Sequence, residues 1–474
     1  MKHKWISLLC LLLLVSLLSS CSVVSSILHT HLYHYEHDEE KHWLSCTECG
    51  GTAEEALHKL TAKESVEATC EHVGYKLYEC ATCGYTRTDV TPALAHNFEA
   101  QPGSDVRVCS ICHREESLMR ELPDSERYGY RYLAAQKNAT VYLRAYDKLS
   151  AGIGSRKEKV TIGENLSKEE LATIFHCCSV DHPEYFWLAS TYEYSYTKSA
   201  IKDMTLSYLV SASDFEKAKA AFLSEANTIL SGISASMTDF EKELYLHNTI
   251  VSRAAYDETY KAPMTHSAYG NLVLGCSVCD GYTKLFQYLL CRCGILATSL
   301  SGYSGENHSW NAVLLDGAWY MVDLTWDDPI GQAAGEVSYN YVNLTWDALS
   351  FDHSFKTPDG EDIENYFDVP DCKSTKYNYF TYFGYEGSLS IETIDKVVRA
   401  QVADGQRHTF QMRFNGHGST PEEKDAAIRN FLKNDDYSNK IYAILGKTLG
   451  RSVHSISLSY SISKDGNLLK LTVN

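Results

Sequence analysis

The chain has 474 residues, and its 43 Lys and Arg against 61 Asp and Glu give a formal net charge of −18. Hydrophobic residues make up 44% and charged residues 22%, a composition typical of roughly two to four globular domains rather than of a disordered chain. The acidic balance argues against nucleic acid as a partner, because that binding needs a positive field. The 16 cysteines are too many to be incidental, and we expect metal sites, disulfides, lipid attachment and catalysis to share them.

The first 20 residues have the pattern of a signal peptide. Lys2 and Lys4 precede an apolar segment, residues 5–18, which is shorter than the roughly 20 residues of a spanning helix. It ends in Leu18-Ser19-Ser20-Cys21, which resembles a bacterial lipobox. The resemblance implies cleavage before Cys21, a lipid on its thiol, and an extracytoplasmic, membrane-anchored protein. The alternative is an uncleaved anchor helix.

Residues 21–115 contain three Cys-x-x-Cys pairs with histidines around them and few apolar residues, which is typical of small modules that need metal or disulfides. The pattern resembles the zinc-ribbon-like repeats at the start of some surface proteins of anaerobic bacteria. It implies structural zinc within residues 42–113. The expected ligand sets are Cys46, Cys49, His58 and His42, then Cys80, Cys83, His96 and Cys70, with Cys109, Cys112 and His113 in a partial unit. The alternative is disulfide pairing in an oxidising exterior.

Residues 116–235 are expected to form an α+β domain. Ser167 followed by Glu170 predicts a helix with a capping box. The pattern predicts helices over residues 124–149, 167–176 and 214–230 and strands over 158–162, 186–196 and 204–210.

A buried helix is predicted immediately after Cys279, in a core that we place at residues 236–345. Apolar residues at 282, 285, 286, 289, 290 and 293 share one helical face, and Gly294 suits the position after the helix end. Unpaired N–H groups and the positive dipole end at a helix start stabilise a thiolate. Cys279 is therefore the candidate nucleophile.

A hairpin is predicted at Asp316-Gly317, which separates two apolar runs. Placing Leu315 opposite Ala318 makes His308 and Asp323 diagonal neighbours on one face. A carboxylate at that position could hold the imidazole in one tautomer. A helix-end thiol, a hairpin histidine and a cross-strand aspartate are the parts of an activated cysteine nucleophile.

These residues resemble the bacterial transglutaminase-like superfamily. The resemblance lies in Gly275-x-x-Val278-Cys279-x-Gly281-Tyr282, His308-x-Trp310-Asn311-x-Val313 and Trp319-Tyr320-x-Val322-Asp323-x-Thr325-Trp326-Asp327-Asp328-Pro329. It implies a papain-like α+β core, in which a helix carrying the cysteine packs on an antiparallel sheet carrying the histidine and the aspartate.

The resemblance also implies residue roles. Cys279 would be the nucleophile, His308 the base and Asp323 the orienting acid, with no cofactor for catalysis. Tyr282, Trp310, Asn311 and Trp326 would support the site, mainly through packing. The backbone N–H of Cys279 would form part of an oxyanion hole, and Tyr269 and Asn271 are candidates for its second donor.

The function expected from this apparatus is attack on an amide bond of a peptide or protein through a thioester. Hydrolysis is favoured over acyl transfer because no amine-binding feature is visible. The alternative is a noncatalytic surface or adhesion protein that uses the fold as a scaffold. A metal or redox pair of Cys276 and Cys279 would leave the histidine and aspartate motifs unexplained. The sequence does not predict an oligomeric state.

Residues 346–474 are expected to be a C-terminal extension with an α+β unit. The pattern predicts a helix over residues 421–432 and strands over 408–414, 440–445, 453–463 and 468–473.

Overall fold

A computed structural model of the chain describes residues 30–70, 72–94, 96–100, 106–117, 121–197, 200–234, 236–261, 264–328 and 337–474. The predicted signal peptide, Cys21 and Pro329 lie outside these ranges. Every helix within them is too short or too polar to span a membrane. The chain divides into two compact units, one reaching Glu99 and including Cys109–Arg114, the other comprising Ala100–Val108 and Glu115–Asn474. The domain boundaries drawn from the sequence stay predictions.

The Cys/His region is built from repeated three-stranded sheets. The strands are β1 (Tyr33–His37), β2 (Lys41–Cys46), β3 (Thr52–Leu57), β4 (Leu60–Val66), β5 (Gly74–Cys80), β6 (Thr86–Thr91), β7 (Phe98–Ala100), β8 (Val106–Cys109) and β9 (Glu115–Ser117). In each sheet the second strand ends on the first cysteine of a Cys-x-x-Cys pair, so the pair lies on the turn into the third strand.

An α+β segment follows in the second unit. It contains a 3-10 turn (Asp124–Glu126), α1 (Tyr128–Ala134), α2 (Ala139–Gly154), β10 (Lys159–Glu164), α3 (Lys168–Asp181), β11 (Leu188–Tyr196), β12 (Ile201–Tyr208) and α4 (Phe215–Leu230). The predicted capping box is present at Ser167 and Glu170. The single helix expected over 124–149 is instead two helices, which are separated by residues 135–138.

The central segment places a helix on an antiparallel sheet. Its elements are α5 (Asp239–Arg253), β13 (Ala255–Tyr256), α6 (Ala268–Leu272), β14 (Cys276–Ser277), α7 (Cys279–Arg292), β15 (Ala297–Tyr303), β16 (Asn307–Leu315), β17 (Ala318–Val322) and α8 (Trp346–Leu349). The sheet order is β15-β16-β17, and Leu315 pairs with Ala318 as predicted. Asp316 and Gly317 both have positive φ, as a tight hairpin turn requires.

Alternation along β16 and β17 divides the sheet between two hydrophobic cores. Val313 and Tyr320 belong to the core that contains the buried face of α7, whereas Ala312 and Met321 belong to the core of α2 and α3. The predicted α+β fold, with the cysteine helix packed on an antiparallel sheet, is confirmed.

The C-terminal segment has its own core. It contains α9 (Tyr379–Phe383), β18 (Glu386–Ser388), α10 (Ile391–Ala403), β19 (Thr409–Asn415), α11 (Pro421–Lys433), α12 (Asp435–Leu449), a 3-10 turn (Val453–Ser455), β20 (Leu458–Ile462) and β21 (Leu468–Val473). The strand expected at 440–445 is wrong, since these residues lie inside α12. Asn434 caps the start of that helix, Gly450 ends it in the left-handed conformation, and Ile441 and Leu445 share its buried face.

Candidate active site

Cys279 is the first residue of α7 and is buried, with 8% of its surface exposed. Gly281, two residues further on, allows a close approach, because a Cβ there would lie 2.4 Å from the Ser277 side chain. Asn311 then ties the start of the helix to the sheet by donating to the Thr283 carbonyl at 3.0 Å. The thiol is therefore held at a helix start that is fixed against β16.

His308 and Asp323 meet as the hairpin register predicts. Nε2 of His308 donates to Oδ2 of Asp323 at 2.6 Å, and both side chains are at most 5% exposed. The other carboxylate oxygen, Oδ1, accepts from the backbone N–H groups of Thr325 and Trp326 at 2.9 and 3.2 Å. Because Nε2 is bonded to Asp323, Nδ1 is the nitrogen of His308 that remains available to the Cys279 thiol.

The charges in this group support one another. Burial opposes a charged imidazole, but the Asp323 carboxylate and the Cys279 thiol outweigh it and raise the pKa of His308 to about 10. Burial likewise opposes the Asp323 carboxylate, yet the charge and hydrogen bond of His308, with a second bond from His353, hold its pKa well below the ordinary value. A buried imidazolium beside a carboxylate and a thiol is the arrangement that activates a cysteine.

The supporting residues expected from the sequence lie around this group. Tyr282 is buried and donates from its hydroxyl to Asp328 at 2.6 Å. Trp310 is buried, with its ring centroid 6.1 Å from that of His308. The Trp326 ring lies 6.3 Å from His308, and Lys464 Nζ lies 4.2 Å from the Trp326 centroid. These aromatic rings form apolar walls around the imidazole.

Both candidates for the second oxyanion donor already have partners in the structure. Tyr269 packs on Phe186, with ring centroids 4.6 Å apart, and Asn271 is buried and donates to Ser277 at 2.9 Å. The Tyr269 ring lies at the edge of a hydrophobic core, and the role of either residue as the second donor stays a prediction.

Sequence reasoning gave no role to Tyr256, which lies close to the nucleophile. Burial, a hydrogen bond to Tyr260 and the nearby Cys279 thiol all raise the pKa of Tyr256. Tyr256 is in β13, whose parallel pairing places it beside Ser277, two residues before the nucleophile. Tyr256-Asp257 belongs to a looser upstream extension of the family resemblance, but only the strand pairing brings Tyr256 to the nucleophile.

The other cysteines of this segment have environments that disfavour a thiolate. Burial and the neighbouring Asp257 raise the pKa of Cys276, and burial raises the pKa of Cys291 to about 11 and of Cys293 to about 12. Among these four cysteines, Cys279 is the one whose thiol forms a hydrogen bond with the His308 side chain.

The Cys-x-x-Cys pairs form three clusters of metal-ligand type. They are His42, His58, Cys80 and Cys83; Cys70, His96, Cys109 and Cys112; and His31, Cys46 and Cys49. In each cluster the ligand atoms lie within 4.8 Å of one another. Cys83 Sγ is 3.4 Å from His58 Nδ1, and Cys70 Sγ is 3.8 Å from Cys109 Sγ. A tetrahedral zinc ion separates a sulfur from a nitrogen ligand by about 3.5 Å and two sulfurs by about 3.8 Å, so these distances are close to those of a zinc site.

This grouping differs from the sets expected from sequence proximity. His42 and His58 join the second pair rather than the first, and Cys70 and His96 join the third rather than the second. Each cysteine pair is thus closed by residues that precede it in the chain. His113 is outside the clusters, since its φ of 58° places it at the turn position that Gly50 and Gly84 occupy after the other pairs.

The central segment matches a known family. Residues 227–324 match the model of the Transglutaminase-like superfamily. The chain contains a transglutaminase-like domain. It is also 39% identical over 61 residues to the kyphoscoliosis peptidases of Mus musculus and of Homo sapiens. That match covers 10% of this chain and 9% of each peptidase, so the chain spans about a tenth of these relatives.

Two solved structures are similar in part. One is a proposed cysteine protease from Cytophaga hutchinsonii, with 14% identity, coverage of 28% of this chain and 61% of that chain, and a TM-score of 0.19. The other is a TGase, with 12% identity, coverage of 31% and 47%, and a TM-score of 0.21. These scores are too low to carry an argument about this chain.

Proposed function

We propose that the transglutaminase-like domain is a cysteine enzyme that acts on amide bonds of peptides or proteins. The contact of His308 with both Cys279 and Asp323 carries this proposal, because it couples a buried helix-end thiol to an imidazole fixed by a carboxylate. A noncatalytic scaffold has no use for that coupling.

The proposed reaction uses Cys279 as the nucleophile and His308 as the proton carrier. Sγ of Cys279 attacks the amide carbonyl carbon and forms a tetrahedral intermediate, whose oxyanion meets the backbone N–H groups at the start of α7. The C–N bond breaks as His308 gives its proton to the departing amine, which leaves a thioester on Cys279. Water then attacks the thioester, His308 takes a proton from that water, and a carboxylic acid and the free thiol are released. An amine in place of water gives acyl transfer, and we favour hydrolysis.

Substrate profiling with peptides and cell-wall fragments tests the reaction. We expect release of ammonia or an amine from the wild type, a loss of at least about 10³-fold in Cys279→Ala, and near wild-type turnover in Cys276→Ala. Cys276 is a matched control because it lies only three residues before the nucleophile, in β14. Equal turnover in all three proteins, or none with any substrate together with no enhanced alkylation of Cys279, would reject the enzyme. Adding a primary amine and measuring the product masses by mass spectrometry distinguishes acyl transfer from hydrolysis.

We also propose that the Cys/His clusters hold structural zinc. Among the residues whose burial is described before Leu122, the buried apolar side chains are those of Cys46, Cys80 and Cys109. Three thiols do not form a hydrophobic core, so metal bonds would supply the stability of this region.

Membrane attachment through a lipid on Cys21 is a further part of the proposal, and it rests on the lipobox-like sequence. We expect the wild type in the membrane fraction of a bacterial host and Cys21→Ala in the soluble or secreted fraction, because a diacylglycerol thioether would be lost. Cys10→Ala is the control and should stay with the membrane. Membrane retention of the Cys21 variant would instead indicate an uncleaved anchor.

A further inference from the structure

A second histidine lies behind the Asp323 carboxylate. Nε2 of His353 is 2.9 Å from Oδ2 of Asp323, the oxygen that also accepts from His308, and Nδ1 of His353 is 2.7 Å from Oδ1 of Asp352. The His353 side chain is completely buried. Both nitrogens of one imidazole therefore face carboxylate oxygens.

That placement constrains the protons of the ring. A carboxylate only accepts hydrogen bonds, whereas a neutral imidazole has one N–H and one lone pair. A neutral His353 would point a lone pair at an oxygen of Asp323 or Asp352, which is repulsive in a buried site. Only the imidazolium form satisfies both contacts.

We propose that His353 is held as an imidazolium between Asp323 and Asp352 and acts as a positioning residue for the proposed enzyme. It would fix the Asp323 carboxylate through a second charged hydrogen bond. It would also weaken the hold of Asp323 on the His308 proton, because both cations share one carboxylate oxygen. The inference about catalysis rests on the proposed function, whereas the charge of His353 does not.

The surroundings of His353 agree with a cation. Besides Asp323 and Asp352, the titratable groups that face it are His308, with ring centroids 5.4 Å apart, and Tyr341, at 5.7 Å. The Tyr341 hydroxyl donates to the other oxygen of Asp352 at 2.7 Å, which fixes that carboxylate. Burial opposes the charge of His353, but the bonds to Asp323 and Asp352 outweigh it and raise its pKa.

NMR of protein labelled with ¹⁵N-histidine tests the charge without any substrate. We expect both ring nitrogens of His353 to keep imidazolium shifts at pH 8, with the signals assigned by their absence in His353→Gln. His176 is an internal reference, since burial lowers its pKa to about 4 and keeps it neutral there. In Asp352→Asn we expect His353 to become neutral at pH 8 while still donating to Asp323. Neutral shifts for His353 in the wild type at pH 8 would overturn the proposal.

The pH dependence of turnover tests the positioning role. His353→Gln retains a donor toward Asp323 without a charge, so we expect kcat to fall about tenfold with little change in KM. The alkaline limb of kcat should move upward by about one pH unit, because His308 then keeps its proton more strongly. Asp352 lines a cavity of about 400 Å³, which leaves room for the asparagine side chain of Asp352→Asn. We expect this variant to shift the alkaline limb in the same direction. An unchanged profile in both variants would reject the positioning role. If the wild type is inactive but His353 still shows imidazolium shifts, the proposed enzyme function is rejected while the proposed charge on His353 is retained.

Discussion

Replacing His308 by alanine is expected to lower amide turnover by at least about 10³-fold, the scale of a lost general acid-base in a cysteine or serine triad. Two functions are removed at once. The thiolate of Cys279 loses its charged partner, and the departing amine loses its proton donor. The measurement is kcat/KM on the best substrate from profiling, together with the rate of iodoacetamide alkylation of Cys279 at pH 7, which should also fall.

His266→Ala is the matched control for that loss. His266 lies at the same end of α7, where its Nδ1 is 3.2 Å from Asp280 Oδ2, but its side chain is 61% exposed and outside the Asp323 group. We expect its turnover to stay within about threefold of wild type. An equal loss in both variants would mean that the electrostatics of the helix end, rather than a proton carried by His308, support the reaction.

The pH dependence of wild-type turnover tests the ion pair between His308 and Asp323. The Asp323 carboxylate raises the pKa of His308 to about 10, so the proton needed by the leaving amine is present at neutral pH and is lost as the pH rises through about 10. Turnover should therefore decline near pH 10. Alkylation of Cys279 does not use this proton and should continue beyond that pH. A decline near pH 6–7, the ordinary range of histidine, would contradict the ion pair.

The predictable part of the active site is the part that local geometry determines. Asp316-Gly317 fixes the hairpin register, and the register alone brings His308 to Asp323. His353 could not be placed in the same way, because it follows the short helix α8 in a loop whose path depends on tertiary packing. Tyr256 reaches the nucleophile through a two-residue parallel pairing, which leaves no periodic pattern in the sequence.

The same distinction explains the composition of the Cys/His clusters. A Cys-x-x-Cys turn is a local motif and its position was predictable, whereas the ligands that close it come from an earlier strand or loop. Cys80 Sγ, for example, lies 3.8 Å from Nδ1 of His42, which is 38 residues away in β2. Sequence proximity assigned His42 to Cys46, which is only four residues distant. The pairing therefore depends on how successive sheets pack against each other.

Removing one ligand from these long-range Cys/His clusters is expected to have a second large effect, the loss of a bound zinc ion. His58→Ala is expected to remove about one zinc per chain and to expose Cys80 and Cys83 to alkylation, while Cys46 and Cys49 stay protected. The sets based on sequence proximity predict the opposite pattern. Zinc content and peptide mapping of alkylated thiols in the native protein measure both outcomes. His72→Ala is the control, since His72 is exposed and outside the clusters.

His96→Ala extends the test to the next cluster, where Cys109 and Cys112 should become reactive and Cys80 and Cys83 should not.

Removing all zinc with a strong chelator should then unfold the whole region, since structural zinc contributes on the order of 10 kcal/mol to modules of this size. The loss should appear in circular dichroism and in the reaction of all seven thiols in the clusters. Thiols that stay blocked after chelation but react after reduction would show disulfides instead. Because each pair is closed by preceding residues, a lost ligand should leave the clusters before it in the chain intact.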